Sequence, residues 1–231
     1  MFQNRFTVYP NPKEVTWGLR YLLFQQAFLS YLLALGLGFL NLPLTNAEFN
    51  FLYFSVNFLA VLWIFRKFLK ESFLHTVRNA APFALAVILG LCAYEAMNRI
   101  LSDLIYTLLP DFFNVNDAAI SLEAQSQYAL TFIGAVFLVP LAEETLFRGL
   151  LFTVFRRRSR ILAYAVSSAL FCAIHVAGYI GQYEWWVLGV CFLQYVPAGI
   201  ALAWAFETSG SIYAPILIHT LVNLTATLSM R

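Results

Sequence analysis

The sequence predicts an all-α fold, a polytopic transmembrane helical bundle of about seven spans that forms a single domain over residues 1–231. Composition is the first reason: 61% of the residues are hydrophobic and 11% are charged, whereas soluble domains carry about 25% charged residues. The second reason is length, because a helix needs about 20 apolar residues to cross a bilayer. The runs that meet this requirement are 18–40, 49–66, 81–98, 127–151, 161–180, 186–206 and 211–229.

The first segment, residues 1–17, is expected to lie at the membrane interface. Its YPNP stretch at positions 9–12 disfavours a continuous helix, since proline restricts its own backbone and that of the preceding residue. We expect no cleavable signal peptide, because Arg5, Lys13 and Arg20 make this region too polar for one.

The connection between the third and fourth spans is expected to be long. The sequence RILSDLIYTLL, residues 99–109, extends the third helix towards the interface. Pro110 and the polar stretch 111–126 are then expected to form a loop. The cysteines Cys92, Cys172 and Cys191 all fall in apolar runs, so we expect buried free thiols.

Basic residues flank the predicted spans mainly on one side of the membrane. Lys and Arg accumulate on the cytoplasmic side of membrane proteins, so this asymmetry places the N-terminus in the cytoplasm. The short chain without a sorting signal favours a multi-pass protein of a bacterial inner membrane, and we expect no nucleic-acid partner. Eleven of the fourteen basic residues would be cytoplasmic: Arg5, Lys13, Arg20, Arg66, Lys67, Lys70, Arg78, Arg156, Arg157, Arg158 and Arg160.

The fourth span carries three ionisable residues, Glu143, Glu144 and Arg148. A charged side chain at the bilayer centre costs roughly 2.5–3.5 kcal/mol. Residues four apart on a helix share a face, so Glu144 and Arg148 can pair. Glu143 lies about 100° further round the helix and keeps no local partner, which makes it a candidate general base. Alternatively, all three are structural contacts between helices or belong to an interfacial turn.

Two further polar motifs follow in the fifth and seventh spans. FCAIH places Phe171 and His175 on one helix face, and HTLVN does the same for His219 and Asn223. The second pair can donate two hydrogen bonds towards one point, as an oxyanion hole requires. The alternatives are a histidine that merely packs and an interhelical hydrogen bond, which is worth about 0.6 kcal/mol on average.

The three motifs occur in the order EExxxR, FxxxH and HxxxN, and over residues 125–229 the chain resembles the CPBP family. This family contains the CAAX proteases and bacteriocin-processing membrane proteins formerly called Abi. The flanking sequences FRGLLF and TSGSIYAPILIHTLVN are similar as well. The resemblance implies that the four C-terminal spans form the catalytic core.

What the resemblance implies is a glutamate-dependent intramembrane endopeptidase similar to the type II CAAX prenyl endopeptidases. Glu143 and His175 would activate a water, and the HxxxN pair would stabilise the tetrahedral oxyanion. Glu144 and Arg148 would hold the site together. The substrate would be a membrane-anchored or lipidated peptide or protein that enters laterally near the cytoplasmic side, beside the loop of Arg156–Arg160.

Other interpretations of the same residues stay open. Glu143, His175 and His219 could ligate zinc, but the chain has no HExxH motif, so we expect no cofactor. Buried carboxylates and imidazoles also suit a proton-coupled carrier or a non-catalytic scaffold. A bacteriocin self-immunity or regulatory protein of the same family is a further alternative. Glu95 has no assigned role.

Overall fold

The computed structural model describes residues 7–231, and this part of the chain forms eight helices. Six of them are long and apolar enough to cross a membrane. The last helix has 17 residues, the short limit of the about 17–25 residues of a transmembrane helix. The all-α polytopic fold is therefore confirmed. The helices are α1 (Pro12–Phe39), α2 (Asn46–Ile64), α3 (Arg66–Arg78), α4 (Ala80–Leu108), α5 (Val115–Arg156), α6 (Arg160–Ala177), α7 (Trp185–Ser209) and α8 (Tyr213–Ser229).

The first helix begins at Pro12, inside the segment predicted to be interfacial. Asn11 caps it by accepting hydrogen bonds from the backbone N–H groups two and three residues further on. Proline suits this position because the N–H that it lacks has no partner in the first turn. The Glu14 carboxylate accepts from the Phe68 N–H at 3.0 Å, which ties the start of α1 to that of α3. Arg5 lies outside the described residues.

The connection between α4 and α5 is shorter than predicted. The helix α4 runs on to Leu108, as expected for the extension of the third span. The loop predicted over 111–126 is wrong, because α5 already begins at Val115 and is capped by the Asn114 side chain. Polar residues of this stretch line a cavity between helices, so their pattern is that of a cavity wall. A kink at Gln127 (φ −145°, ψ 68°) marks the predicted start of the fourth span.

Two stretches of α5 are wound as π-helix, Gly134–Leu138 and Thr145–Phe152. Such turns are rare and frequently occur at functional sites. In the first stretch, the Val139 N–H bonds to the carbonyl five residues back, and Pro140 has no N–H to offer the next carbonyl. The Ala135 carbonyl is therefore available to a side-chain donor.

An apolar layer surrounds the second π-helical stretch and joins α2, α3, α5 and α7. All eight residues of Thr145–Phe152 are buried. The packing is close enough that a Cβ atom on Gly149 would lie 2.8 Å from the Phe68 ring. Layers of this density leave few voids that admit water. The layer consists of Val61, Phe65, Phe68, Leu69, Leu146, Leu150, Phe152, Phe206 and Ile212.

The two ends of the bundle differ in chemistry. We call one of them the arginine end, because α5 ends and α6 begins there among arginine residues. At this end Glu207 accepts hydrogen bonds from Arg156 at 2.8 Å and from Arg160 at 2.9 Å. At the opposite or far end, α2 starts near the kink of α5, and Gln127 donates to Thr45 at 2.8 Å. Because α5 runs between these ends, the contacts define the long axis of the bundle.

The three cysteines are free. Cys172 and Cys191 are buried as expected, whereas Cys92 is exposed on α4. A span needs only one face inside the bundle, and an apolar sequence does not distinguish the lipid-facing side from the inward side. The sequence therefore could not place Cys92.

Candidate active site

Glu144 and Arg148 form an ion pair in the middle of α5, as their four-residue spacing predicts. Arg148 Nη1 donates to Glu144 Oε1 at 3.0 Å, and both side chains are fully buried. A single charge buried this deeply would be strongly unfavourable. Each residue therefore depends on the other for its place in the bundle.

The Arg148 guanidinium also reaches α6 and α7. Its Nη2 donates to the Gly199 carbonyl at 3.3 Å, and its Cζ lies 4.2 Å from the centre of the Phe171 ring. The helix α7 can approach α6 because Gly199 lacks a side chain: a Cβ there would lie 2.8 Å from the Ser168 Cβ. Arg148 thus joins three helices around the ion pair.

His219 of α8 binds the same carboxylate. Its Nδ1 lies 2.8 Å from Glu144 Oε1, and the side chain is buried. A carboxylate oxygen that already accepts from Arg148 is an acceptor, so Nδ1 carries the proton of this contact. The ring is held with its Nε2 atom free for another partner.

Glu143 has a different environment, although it is the neighbouring residue. Its Oε2 atom is buried and has no hydrogen-bond partner among residues 7–231. The side chain lines a cavity, while its neighbour points into the ion pair. This is the arrangement that the helical spacing predicts for the two carboxylates.

His175 is held at the end of α6 by its own helix. Its Nδ1 lies 2.8 Å from the Phe171 carbonyl, and a carbonyl only accepts, so Nδ1 bears the proton. In the neutral ring Nε2 then carries the lone pair and can accept a proton. The Phe171 ring lies 4.6 Å from the His175 ring, between centroids.

Asn223 lies one turn beyond His219 on α8. Its Nδ2 donates to the Ala135 carbonyl at 2.8 Å, the carbonyl that the π-turn and Pro140 leave without a helical donor. This contact fixes the amide and uses one of its two N–H bonds. The other N–H is available to a ligand.

A cavity of about 650 Å³ brings four of the six predicted residues together. Ligand-binding cavities usually measure about 300–1,000 Å³. Glu144 and Arg148 lie behind its wall. The four predicted residues that line it are Glu143, His175, His219 and Asn223.

Residues 125–225 match the family model described as type II CAAX prenyl endopeptidase Rce1-like. This match supports the assignment to the CAAX protease family that the three motifs predict, for the matched segment. The matched region runs from α5 into α8 and contains all six predicted site residues. No curated protein and no solved structure matches the chain.

Two residues of the candidate site were missed by the sequence analysis. The Tyr195 ring stacks on His175 with centroids 4.1 Å apart and an angle of 27°. The Tyr195 hydroxyl donates to Asp117 Oδ1 at 2.9 Å. No spacing motif contains either residue, and Asp117 was assigned to a loop. Asp117 also lies before the segment that matches the family model.

The acidic and imidazole groups of the described residues 7–231 do not form a cluster suited to zinc. Within residues 7–231, no three His, Cys, Asp or Glu side chains are grouped closely enough to hold a metal ion. His175 and His219 each use Nδ1 within the protein. Their Nε2 atoms are the ones that could meet a substrate or a water.

Proposed function

We propose that the chain is an intramembrane endopeptidase that hydrolyses a peptide bond of a membrane-anchored or lipidated peptide or protein. One observation carries the proposal: the imidazole of His175 lines the same cavity as the carboxylate of Glu143, whose Oε2 has no hydrogen-bond partner among residues 7–231. The match of residues 125–225 to the type II CAAX prenyl endopeptidase model supports it.

In this mechanism, Glu143 and His175 activate a water molecule in the cavity. One of them takes a proton from the water, whose oxygen attacks the scissile carbonyl carbon. The proton is later delivered to the leaving amine, so the acid and the base return to their initial states. General bases of this kind typically contribute about 10²–10⁴-fold to a rate.

His219 and Asn223 are proposed to stabilise the negative oxygen of the tetrahedral intermediate. Asn223 offers its second N–H. His219 would donate from Nε2, which requires the ring to carry both protons, and the carboxylate of Glu144 would offset that positive charge. Removal of one such donor typically costs about 10²–10³-fold in kcat.

Glu144 and Arg148 have a supporting role in the proposal. Their charges are neutralised within the protein, so neither is available as a base. Their contacts with His219 on α8 and with the Gly199 carbonyl on α7 position the groups that act on the substrate. This agrees with the supporting role that the family resemblance implies.

A proton-coupled carrier or a scaffold is the competing interpretation. A carrier requires a polar route through the whole membrane, whereas the apolar layer lies between the cavity and the arginine end. This observation favours the hydrolase. We expect cleavage to resist EDTA; loss of activity that zinc restores would instead make His175 a metal ligand.

The proposal predicts a specific change in the peptides released from membranes. Membranes of cells that produce the wild type should release peptides that are missing when Glu143→Gln is produced at the same level. Glu95→Gln is the matched control, since Glu95 is an exposed carboxylate of α4 that does not line the cavity. Mass spectrometry of the released peptides measures the difference, and an unchanged set in Glu143→Gln would contradict the proposal.

Tyr195→Leu should lower kcat by about 2–10-fold, because aromatic stacking is worth about 0.5–1.5 kcal/mol. Tyr195 acts as a positioning residue that holds the His175 ring. Tyr195→Phe keeps the stacking and loses only the hydroxyl contacts with Asn114, Asn116 and Asp117, so its effect on kcat should be smaller. Steady-state kinetics that separate kcat from KM check this. Equal losses in both variants would show that stacking is not the reason.

A further inference from the structure

We infer that the substrate reaches Glu143 from the far end of the bundle, opposite to the arginine end, and therefore from the extracytoplasmic side of the membrane. That the entering molecule is a substrate rests on the proposed function, whereas the access route depends only on the cavity. The inference differs from the expectation that the substrate enters near the cytoplasmic side, beside the loop of Arg156–Arg160. Thirteen residues separate Glu143 from Arg156, which is roughly 20 Å along a helix.

The wall of the cavity is built from the helix ends that meet at the far end. The start of α2 contributes Asn50, whose Nδ2 donates to Glu123 Oε1 at 2.6 Å. The end of α4, the start of α5, the segment after α6 and the end of α8 contribute the rest. These lining residues are Ser102, Tyr106, Asn116, Tyr179 and Ser229.

The arginine end is closed to the cavity. Leu146 belongs both to the cavity lining and to the apolar layer, so it forms the floor. Below it, Phe65, Phe68 and Phe152 have no exposed surface. Beyond the layer, Glu207 holds the ends of α5 and α6 together. Neither water nor a peptide chain has a route to Glu143 from this side.

The depth of the cavity indicates what kind of segment must enter. Ser229 and His219 both line it and lie ten residues apart on α8, which is about 15 Å along the helix axis. An extended peptide covers about 3.3 Å per residue. A segment of about five extended residues is therefore needed to bring a peptide bond to the site.

The charge of the wall selects against anionic segments. Three carboxylates line the cavity, those of Asp117, Glu123 and Glu143, and its wall contains no Lys or Arg among residues 7–231. The Gln25 side chain adds a buried acceptor oxygen that has no partner within the described part of the chain, residues 7–231. Such a wall suits neutral or cationic peptide segments, whose N–H groups meet the acceptors.

The membrane side follows from the distribution of basic residues. The basic loop of Arg156–Arg160 lies at the arginine end, and basic loops face the cytoplasm. Because the cavity opens at the other end, the scissile segment must be presented on the extracytoplasmic side, for example next to the membrane anchor of an exported protein.

Cysteine accessibility tests the inference without any knowledge of the substrate. In a Cys92→Ser background, single cysteines are placed down one wall of the cavity by Ser229→Cys, Ala226→Cys and Val222→Cys, and at the arginine end by Arg157→Cys. Intact spheroplasts are treated with two membrane-impermeant methanethiosulfonates of similar size, one cationic and one anionic. Subsequent labelling of the remaining thiols measures the extent of modification.

We expect all three cavity cysteines to react in intact spheroplasts and Arg157→Cys to react only after lysis. The ratio of the reaction rate of the cationic reagent to that of the anionic reagent should be several-fold higher at Val222→Cys than at Ser229→Cys. Reaction of Val222→Cys only after lysis would overturn the inference. So would the reverse pattern, in which Arg157→Cys reacts in intact spheroplasts, or a Val222→Cys that reacts in neither preparation.

The same variants separate this inference from the proposed function. Modification of Val222→Cys from outside should block the release of Glu143-dependent peptides, whereas Arg157→Cys should be insensitive to the reagent in intact spheroplasts. If no Glu143-dependent peptide exists, the proposed function fails while the labelling pattern still reports the access route. If peptides are released and Val222→Cys is unreactive from outside, the access route fails alone.

Discussion

Purified Glu143→Gln is expected to lose about 10²–10⁴-fold of the wild-type kcat and to unfold at the same or a slightly higher temperature. The substitution removes the group proposed to activate water and preserves the size of the side chain. It also removes a carboxylate whose Oε2 atom is buried and has no hydrogen-bond partner in the described residues, and burying a charge without a partner is unfavourable. Cleavage kinetics on a released peptide and thermal unfolding in detergent measure the two effects.

Glu144→Gln is the informative neighbour. It weakens the contacts with Arg148 and His219, so its unfolding temperature should fall while that of Glu143→Gln does not. The same chemical change at adjacent positions thus has opposite effects on stability. A Glu143→Gln variant that cleaves at the wild-type rate would remove Glu143 from the mechanism.

Arg148→Met is expected to lower the free energy of unfolding by about 3–5 kcal/mol, the usual effect of breaking a buried ion pair. Glu144 would remain fully buried, with the His219 ring as the remaining hydrogen-bond partner of its Oε1. The substitution also removes the contacts with the Gly199 carbonyl and the Phe171 ring. Catalytic activity should fall together with stability, because α6 and α7 would lose their common contact on α5, and Glu144, which holds His219 of α8, would lose its cation. Chemical or thermal unfolding in detergent gives the magnitude.

An exposed pair of the same spacing provides the control. Arg99 and Asp103 of α4 are four residues apart with N and O at 3.0 Å, and their side chains are 81% and 63% exposed. Arg99→Met should cost less than about 1 kcal/mol. The double variant Glu144→Gln with Arg148→Met should recover part of the stability lost in Arg148→Met. Equal effects of Arg148→Met and Arg99→Met would mean that burial does not strengthen the pair.

The access route affects how a substrate should be sought. A search among cytoplasmic tails would follow from the sequence-based expectation of a site beside Arg156–Arg160. The cavity instead favours substrates on the opposite side of the membrane. Their scissile bond should lie in a neutral or cationic segment of about five extended residues. Exported proteins with a membrane anchor are therefore the class in which Glu143-dependent cleavage is expected.

Local features of the site could be predicted from the sequence because they depend on helix geometry alone. The pairing of Glu144 with Arg148 needs only a spacing of four residues, and the isolation of Glu143 follows from the turn angle. The spans follow from apolar length, since each backbone polar group in a bilayer must be satisfied within a helix. These properties require no knowledge of which helices are neighbours.

Contacts between distant residues were decided only by the tertiary structure. His219 meets Glu144 across 75 positions, and Tyr195 stacks on His175 from another helix. The polar stretch 111–126 has a composition that suits either an exposed loop or the wall of a wet cavity. The direction in which that cavity opens depends on the close packing of the apolar layer at one end, which is the sum of many contacts between helices. The spacing of residues along the chain carries no record of that sum. The sequence therefore identified the candidate site residues, whereas the packing between helices decided at which end of the bundle their cavity opens.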